Sequence, residues 1–116
     1  MKRIVVVDDD SAILEVVQCA LELEGYQAQT SSTGMFLLHL EDNLPDLILL
    51  DILLCGEDGR DICQRLKANE RTKHIPVILF SAHLRGYEAL KASKADGFLA
   101  KPFNIKELLD AVQKLL

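Results

Sequence analysis

Apolar residues come in short runs separated by longer amphipathic stretches. Residues 4–7, 47–50, 77–80 and 98–100 are largely Val, Ile, Leu and Phe and are each too short for a stable helix. Such runs predict strands buried on both faces of a parallel sheet. Residues 25–32 alternate instead, Tyr26, Ala28 and Thr30 against Gln27, Gln29 and Ser31, which predicts a strand with one wetter face, at an edge. Residues 11–24, 33–41, 59–69 and 104–116 are amphipathic at helical spacing, with a weaker stretch at 84–93. Gly25, Pro45, Gly59, Pro76, Gly97 and Pro102 punctuate these segments.

Strands alternating strictly with helices predict an α/β fold, because right-handed crossovers between parallel strands lay helices on both faces of the sheet. No repeat, low-complexity tract or linker interrupts the pattern, so residues 1–116 are expected to form a single domain.

Composition narrows the function. The net charge of −5 argues against a direct nucleic-acid or anionic-membrane binder and for a cation or a basic partner surface. Cys19, Cys55 and Cys63 are odd in number and lack metal spacing, so reduced thiols in a cytoplasmic protein are expected. His39, His74 and His83 lie in separate segments without ligand spacing. No apolar run reaches the length of a secretory signal or a membrane span.

Candidate chemistry lies just beyond the apolar runs. Val7 is followed by Asp8, Asp9 and Asp10, Leu50 by Asp51, Phe80 by Ser81 and Ala100 by Lys101. In an open α/β sheet ligands bind outside the carboxyl ends of the strands, so these distant residues are expected to converge. Clustered carboxylates cannot all stay ionised without a cation among them. Lys101 supplies one charge, and Mg²⁺ suits hard oxygen ligands of this kind. A carboxylate nucleophile, a metal and donors for the moving oxygens are the parts that phosphoryl transfer needs. Asp10 or Ser11 is expected to cap the first helix. The charges of Lys106, Glu107, Asp110 and Lys114 read as a solvated helix face.

The order Asp8-Asp9, then Pro45 through Asp51, Asp58-Gly59, Ile75 through Ala82, and Lys101-Pro102-Phe103 resembles the receiver domain of two-component response regulators over essentially the whole chain. That resemblance implies a flavodoxin-like doubly wound (βα)5 sandwich, with a five-stranded parallel sheet in the order 2-1-3-4-5. It implies Asp51 as phosphoacceptor, with Mg²⁺ held by Asp8, Asp9, Asp51 and the main-chain carbonyl of Leu53. Ser81 and Lys101 would bind the phosphoryl oxygens, Phe98 would be the switch aromatic, and Leu53 and His83 would tune hydrolysis. The Lys101-Pro102 peptide would be cis. The implied donor is a histidine kinase or histidine phosphotransfer protein. The implied output is a downstream protein or domain bound on the face of the fourth helix, fifth strand and fifth helix, with homodimerisation on phosphorylation as one outcome. With no output domain after Leu116, the expectation is a stand-alone regulator or a receiver from a longer protein.

This chain departs from the family pattern at Leu54-Cys55, where Met-Pro is usual, so the loop after the acceptor loses proline's rigidity and gains a thiol. Two other readings compete. Asp8-Asp9-Asp10 contains the Asp-x-Asp of haloacid-dehalogenase-like phosphohydrolases, with Asp8 as nucleophile and Asp10 as acid, although only Glu107 and Asp110 follow the lysine as acids. A receiver-like interaction module that is not phosphorylated would be expected to lose site residues, and all of them are present.

Overall fold

Three of the four apolar runs, 4–7, 47–50 and 77–80, form the middle of one parallel sheet, where residues pointing to either face meet a packed layer, and the fourth, 98–100, lies in an edge strand. In the computed structural model, which describes residues 1–40, 42–82 and 91–116, the order is β1 (Arg3–Val7), α1 (Ser11–Leu23), β2 (Gln27–Ser31), a 3-10 turn (Met35–His39), β3 (Leu47–Asp51), β4 (Leu53–Leu54), β5 (Glu57–Asp58), α2 (Gly59–Ala68), β6 (Val77–Ser81), β7 (Gly97–Ala100) and α3 (Ile105–Leu115). The five-stranded sheet runs β2-β1-β3-β6-β7 with every pair parallel. This is the expected 2-1-3-4-5 order once β4 and β5 are set aside as a separate antiparallel hairpin.

Side chains alternate across the sheet with period two. Val5, Val7, Ile48, Leu50, Val77 and Leu79 pack under the 3-10 turn and under Ile62, Cys63 and Leu66 of α2. Ile4, Val6, Leu47, Leu49, Ile78 and Phe80 pack under Val17, Ala20 and Leu21 of α1 and Leu108 and Val112 of α3. Strand β2 sits at the edge and is only half-buried, as its alternation predicts.

Among the described residues, α1, α2 and α3 each begin at a side-chain cap, which supplies an acceptor to N–H groups that have no partner in the first turn. Asp10 accepts from Ala12 and Ile13 at the start of α1, and Asp58 accepts from Arg60 at α2. Asn104 and Glu107 form a reciprocal capping box at α3. Arg60 also bonds the Asp58 carboxylate, which holds that carboxyl below its usual range. Burial pushes the Cys63 thiol up to about 11, so it packs as a small apolar residue, whereas Cys19 and Cys55 are exposed.

Two expected elements need comment. The helix expected at 33–41 is a short 3-10 turn at Met35–His39. Met35, Phe36, Leu37 and Leu38 are consecutive apolar residues, and Phe36, Leu37, Leu38 and Leu40 all lean on one core cluster. A longer α-helix with a narrow apolar stripe would turn some of them to solvent. The helix expected at 84–93 lies, apart from its last residues, outside the described residues, and so does His83. Among the described residues, no helix is long and apolar enough to cross a membrane.

Candidate functional site

Strand register brings the polar residues together. Val7 lies beside Leu50, Asp51 beside Phe80 and Ser81 beside Ala100. Asp8, Asp51, Ser81 and Lys101 therefore meet at one corner of the sheet. Lys101 Nζ donates to Asp8 Oδ2 at 2.8 Å and to Asp51 Oδ2 at 3.2 Å. Asp8 is 0% exposed and its Oδ1 accepts the Asp10 amide at 2.9 Å. Asp9 stands at the exposed rim.

Asp8, Asp9 and Asp51 each present an oxygen within 4.8 Å of the others. Magnesium holds oxygen ligands at about 2.1 Å, so ligands on opposite sides of the ion are about 4.2 Å apart, and this cluster fits a small divalent cation. The electrostatics point the same way. Burial, then the charge of Asp8, pushes the Asp51 carboxyl above its usual range, against the pull of Lys101. Burial works against the Lys101 charge, yet its bonds to Asp8 and Asp51 hold the ammonium above its usual value. One ammonium serves two buried carboxylates, and a cation would complete the neutralisation.

The surroundings fix these groups. Lys101 Nζ lies 5.1 Å from the centre of the Phe80 ring, and Phe80 meets Phe103 edge to face at 5.9 Å. The Lys101 amide donates to the Ser81 carbonyl at 2.8 Å, and the Lys101-Pro102 peptide is cis, as expected. Ser81 is buried at the end of β6. The Leu53 amide donates to Asp51 Oδ1 at 3.4 Å, which lays the Leu53 backbone against that carboxylate, while the Leu53 side chain is exposed. Phe98 is half-buried against the α2-side core.

Leu54-Cys55 does not leave the loop after Asp51 shapeless. Leu53–Leu54 and Glu57–Asp58 pair as a hairpin turned by Cys55 and Gly56, and Gly56 takes the positive φ of 74° that glycine tolerates. Gly59 closes the loop: its amide donates to the Ile52 carbonyl at 2.8 Å, and a Cβ there would collide with the Asp51 carbonyl oxygen. Gly59→Ala is therefore expected to displace the strand end that carries Asp51, lowering the rate of Mg²⁺-dependent acyl-phosphate formation at least tenfold and the melting temperature by several degrees, on the scale of other steric overpacking. Unchanged phosphorylation kinetics would show that the strand end yields without consequence.

As expected, Asp10 spends its carboxylate on capping α1, so the acid that a phosphohydrolase reading needs is engaged elsewhere. Phe80, Phe103 and Gly59 support the site although their residue types carry no chemical signal; the sequence marks them only as members of the pattern shared with receiver domains, beside Ser81, Pro102 and Asp58.

The model of the response regulator receiver domain matches residues 4–113. The chain belongs to this family. Over 123 residues it is 41% identical to the DNA-binding dual master transcriptional regulator RpaA of Synechocystis, a match covering all of this chain and 49% of RpaA. It is 37% identical over 120 residues to the phosphate regulon transcriptional regulatory protein PhoB of Pseudomonas aeruginosa, covering 99% of this chain and 52% of PhoB. The chain thus spans about half the length of these curated relatives. Among solved structures, the response regulator TrrA of Thermotoga maritima in complex with Mg²⁺ and BeF is 34% identical, with a TM-score of 0.88 and full coverage of both chains. The receiver domain of sensor histidine kinase PA1611 from Pseudomonas aeruginosa, with magnesium in its active-site cleft, is 27% identical, with a TM-score of 0.88 and coverage of 98% and 96%. As a receiver domain, the chain is a phosphorylation-dependent switch of two-component signalling, and its three aspartates fit the family's Mg²⁺ site.

Proposed function

We propose that Asp51 accepts a phosphoryl group from a histidine kinase or histidine phosphotransfer protein, with Mg²⁺ held by Asp8, Asp9, Asp51 and the Leu53 carbonyl. The observation that carries this reading is the Lys101 ammonium bonded to Asp8 and Asp51 at once, beside a third carboxylate. Mg²⁺ supplies charge to neutralise the phosphoryl oxygens in transfer. The chain's own residues do the rest. Asp51 attacks phosphorus through a carboxylate oxygen, the donor's P–N bond breaks, and an acyl phosphate forms on Asp51. Lys101 turns from Asp51 to a phosphoryl oxygen while the buried Ser81 hydroxyl takes another.

An acyl phosphate carries about −1.5 to −2 charge at neutral pH where the carboxylate carried one, and its added oxygens draw Ser81 and Lys101 inward and bias a two-state element. Phe98, on β7 in register with Leu79 and three residues before Lys101, is the candidate switch aromatic. The candidate output surface includes β7 and α3, for a downstream protein, an output domain or a second copy. The protein acts as a switch in the cytoplasm, with only self-catalysed gain and loss of phosphate, and His83 stands two residues from Ser81 as a candidate tuner of that loss.

The way in for a donor is a groove of about 440 Å³ between α1 and the β7–α3 junction. Ile13, Val16, Phe103, Ala82 and Lys101 are among the residues that line it. Its apolar lip supports a protein donor rather than a free small molecule alone. The test is incubation with acetyl phosphate followed by acid quench and intact mass. The expected result is a single phosphoryl adduct that requires Mg²⁺ and is removed by hydroxylamine. A hydroxylamine-stable adduct, or release of inorganic phosphate from a phosphomonoester, would contradict the reading.

A further inference from the structure

The hairpin that follows Asp51 is tied to the opposite side of the site by one side chain. Glu57, on β5, accepts the Gly34 amide through Oε1 at 3.0 Å across 23 residues of sequence. Its other oxygen, Oε2, is buried with no hydrogen-bond partner among the described residues, so the bond to Gly34 is the one contact that this polar head makes there. Gly34 is buried, and a Cβ on it would press on Ile62 at 2.8 Å and touch Leu54 of the hairpin at 3.4 Å. The two segments are therefore packed as well as bonded. Gly34 lies three residues past Ser31, whose carbonyl accepts the Asp8 amide at 3.1 Å. At the other end Leu54 pairs with Glu57, next to Leu53, whose amide bonds Asp51. A continuous path thus runs from the Asp8 loop through Gly34 and Glu57 to the Leu53 backbone.

We propose that Glu57 is a positioning residue for the cation site, fixing the Leu53 and Asp51 side of the site relative to the Asp8 and Asp9 side. This rests on the reading of those four residues as the Mg²⁺ ligands. A tie of this kind acts on the metal through the ligands it orients, and loss of such partners weakens metal binding by about 10- to 100-fold in other sites.

The test is Mg²⁺ titration by calorimetry of the full chain, Glu57→Ala and Glu57→Gln, with a melting curve for each. Gln keeps an acceptor for the Gly34 amide, so the expected result is about tenfold weaker Mg²⁺ binding in Glu57→Ala and an affinity within about twofold of the parent in Glu57→Gln. A merely structural role would lower the Glu57→Ala melting temperature and leave its Mg²⁺ affinity unchanged, and that outcome overturns the proposal. Equal weakening in both variants also overturns it, because charge rather than the hydrogen bond would then be responsible. If the parent chain binds no Mg²⁺, the cation reading itself fails. Should Glu57→Ala not fold, the amide NMR resonances of Gly34 and Leu53 in the parent decide: both are expected to move with the same Mg²⁺ midpoint, and an unmoved Gly34 overturns the proposal.

Discussion

Asp51→Asn is expected to abolish phosphorylation and, at the same time, to make the protein more stable in the absence of divalent cations. Loss of transfer follows from chemistry, since an amide oxygen is a poor nucleophile toward phosphorus and cannot give an acyl phosphate. The gain in stability follows from burial. Asp51 is 4% exposed, and desolvation together with the Asp8 charge raises its carboxyl above the ordinary value of 3.8. A raised carboxyl means that the ionised form costs the fold free energy. That cost is full at neutral pH, and it disappears as pH falls through the raised value to 3.8. The melting temperature of Asp51→Asn should therefore exceed that of the parent by several degrees at pH 7, with the gap closing in acid. Saturating Mg²⁺ should reverse the order, because binding at a hundred times Kd stabilises a native state by about 2.7 kcal/mol, and the variant has lost one ligand. Thermal melts at several pH values, with and without Mg²⁺, check each part.

The second large effect is expected at Lys101. Replacement by Ala leaves Asp8 and Asp51, both buried, without their shared ammonium. Removing one partner of a buried ion pair costs about 3 kcal/mol or more, which in a domain of this size lowers the melting temperature by about 10 °C. The direction is thus opposite to that of Asp51→Asn, although the two side chains touch. Mg²⁺ should recover more stability in Lys101→Ala than in the parent, since it then replaces the missing ammonium beside the two carboxylates. Phosphoryl transfer should remain slow even when Mg²⁺ has restored the fold, because the donor for a phosphoryl oxygen is gone. The double variant Asp51→Asn with Lys101→Ala should be more stable than Lys101→Ala alone, a coupling expected of groups in direct contact. Equal stability of the parent and Lys101→Ala would mean that the ammonium contributes nothing to the carboxylate cluster.

Much of this arrangement is visible in the residues before any coordinates are known. Buried parallel strands leave near-continuous apolar runs, and a fixed strand order then places Asp8, Asp51, Ser81 and Lys101 together. The edge position of β2 is written in its alternation, and the Asp10 cap in its place before Ser11. What the sequence hides is long-range and neutral in type. Nothing local to Glu57 announces a bond to Gly34, 23 residues earlier, and nothing in Phe80 or Phe103 announces an aromatic bed for Lys101. The 3-10 turn at Met35–His39 was hidden for another reason: four apolar residues in a row fit a helix pattern as well as they fit a tight turn laid flat on the core. The β4–β5 hairpin arises from pairing of only two residues per strand, too short for any periodicity to register.

The measurement closest to the central claim is chemical location of the phosphoryl group. Borohydride reduction of the protein after reaction with acetyl phosphate and Mg²⁺ converts a phosphorylated aspartate to homoserine, which tandem mass spectrometry places in the sequence. Homoserine is expected at position 51 and at no other aspartate. Homoserine at position 8 or 9, or a stable phosphate on Ser81, would contradict that expectation.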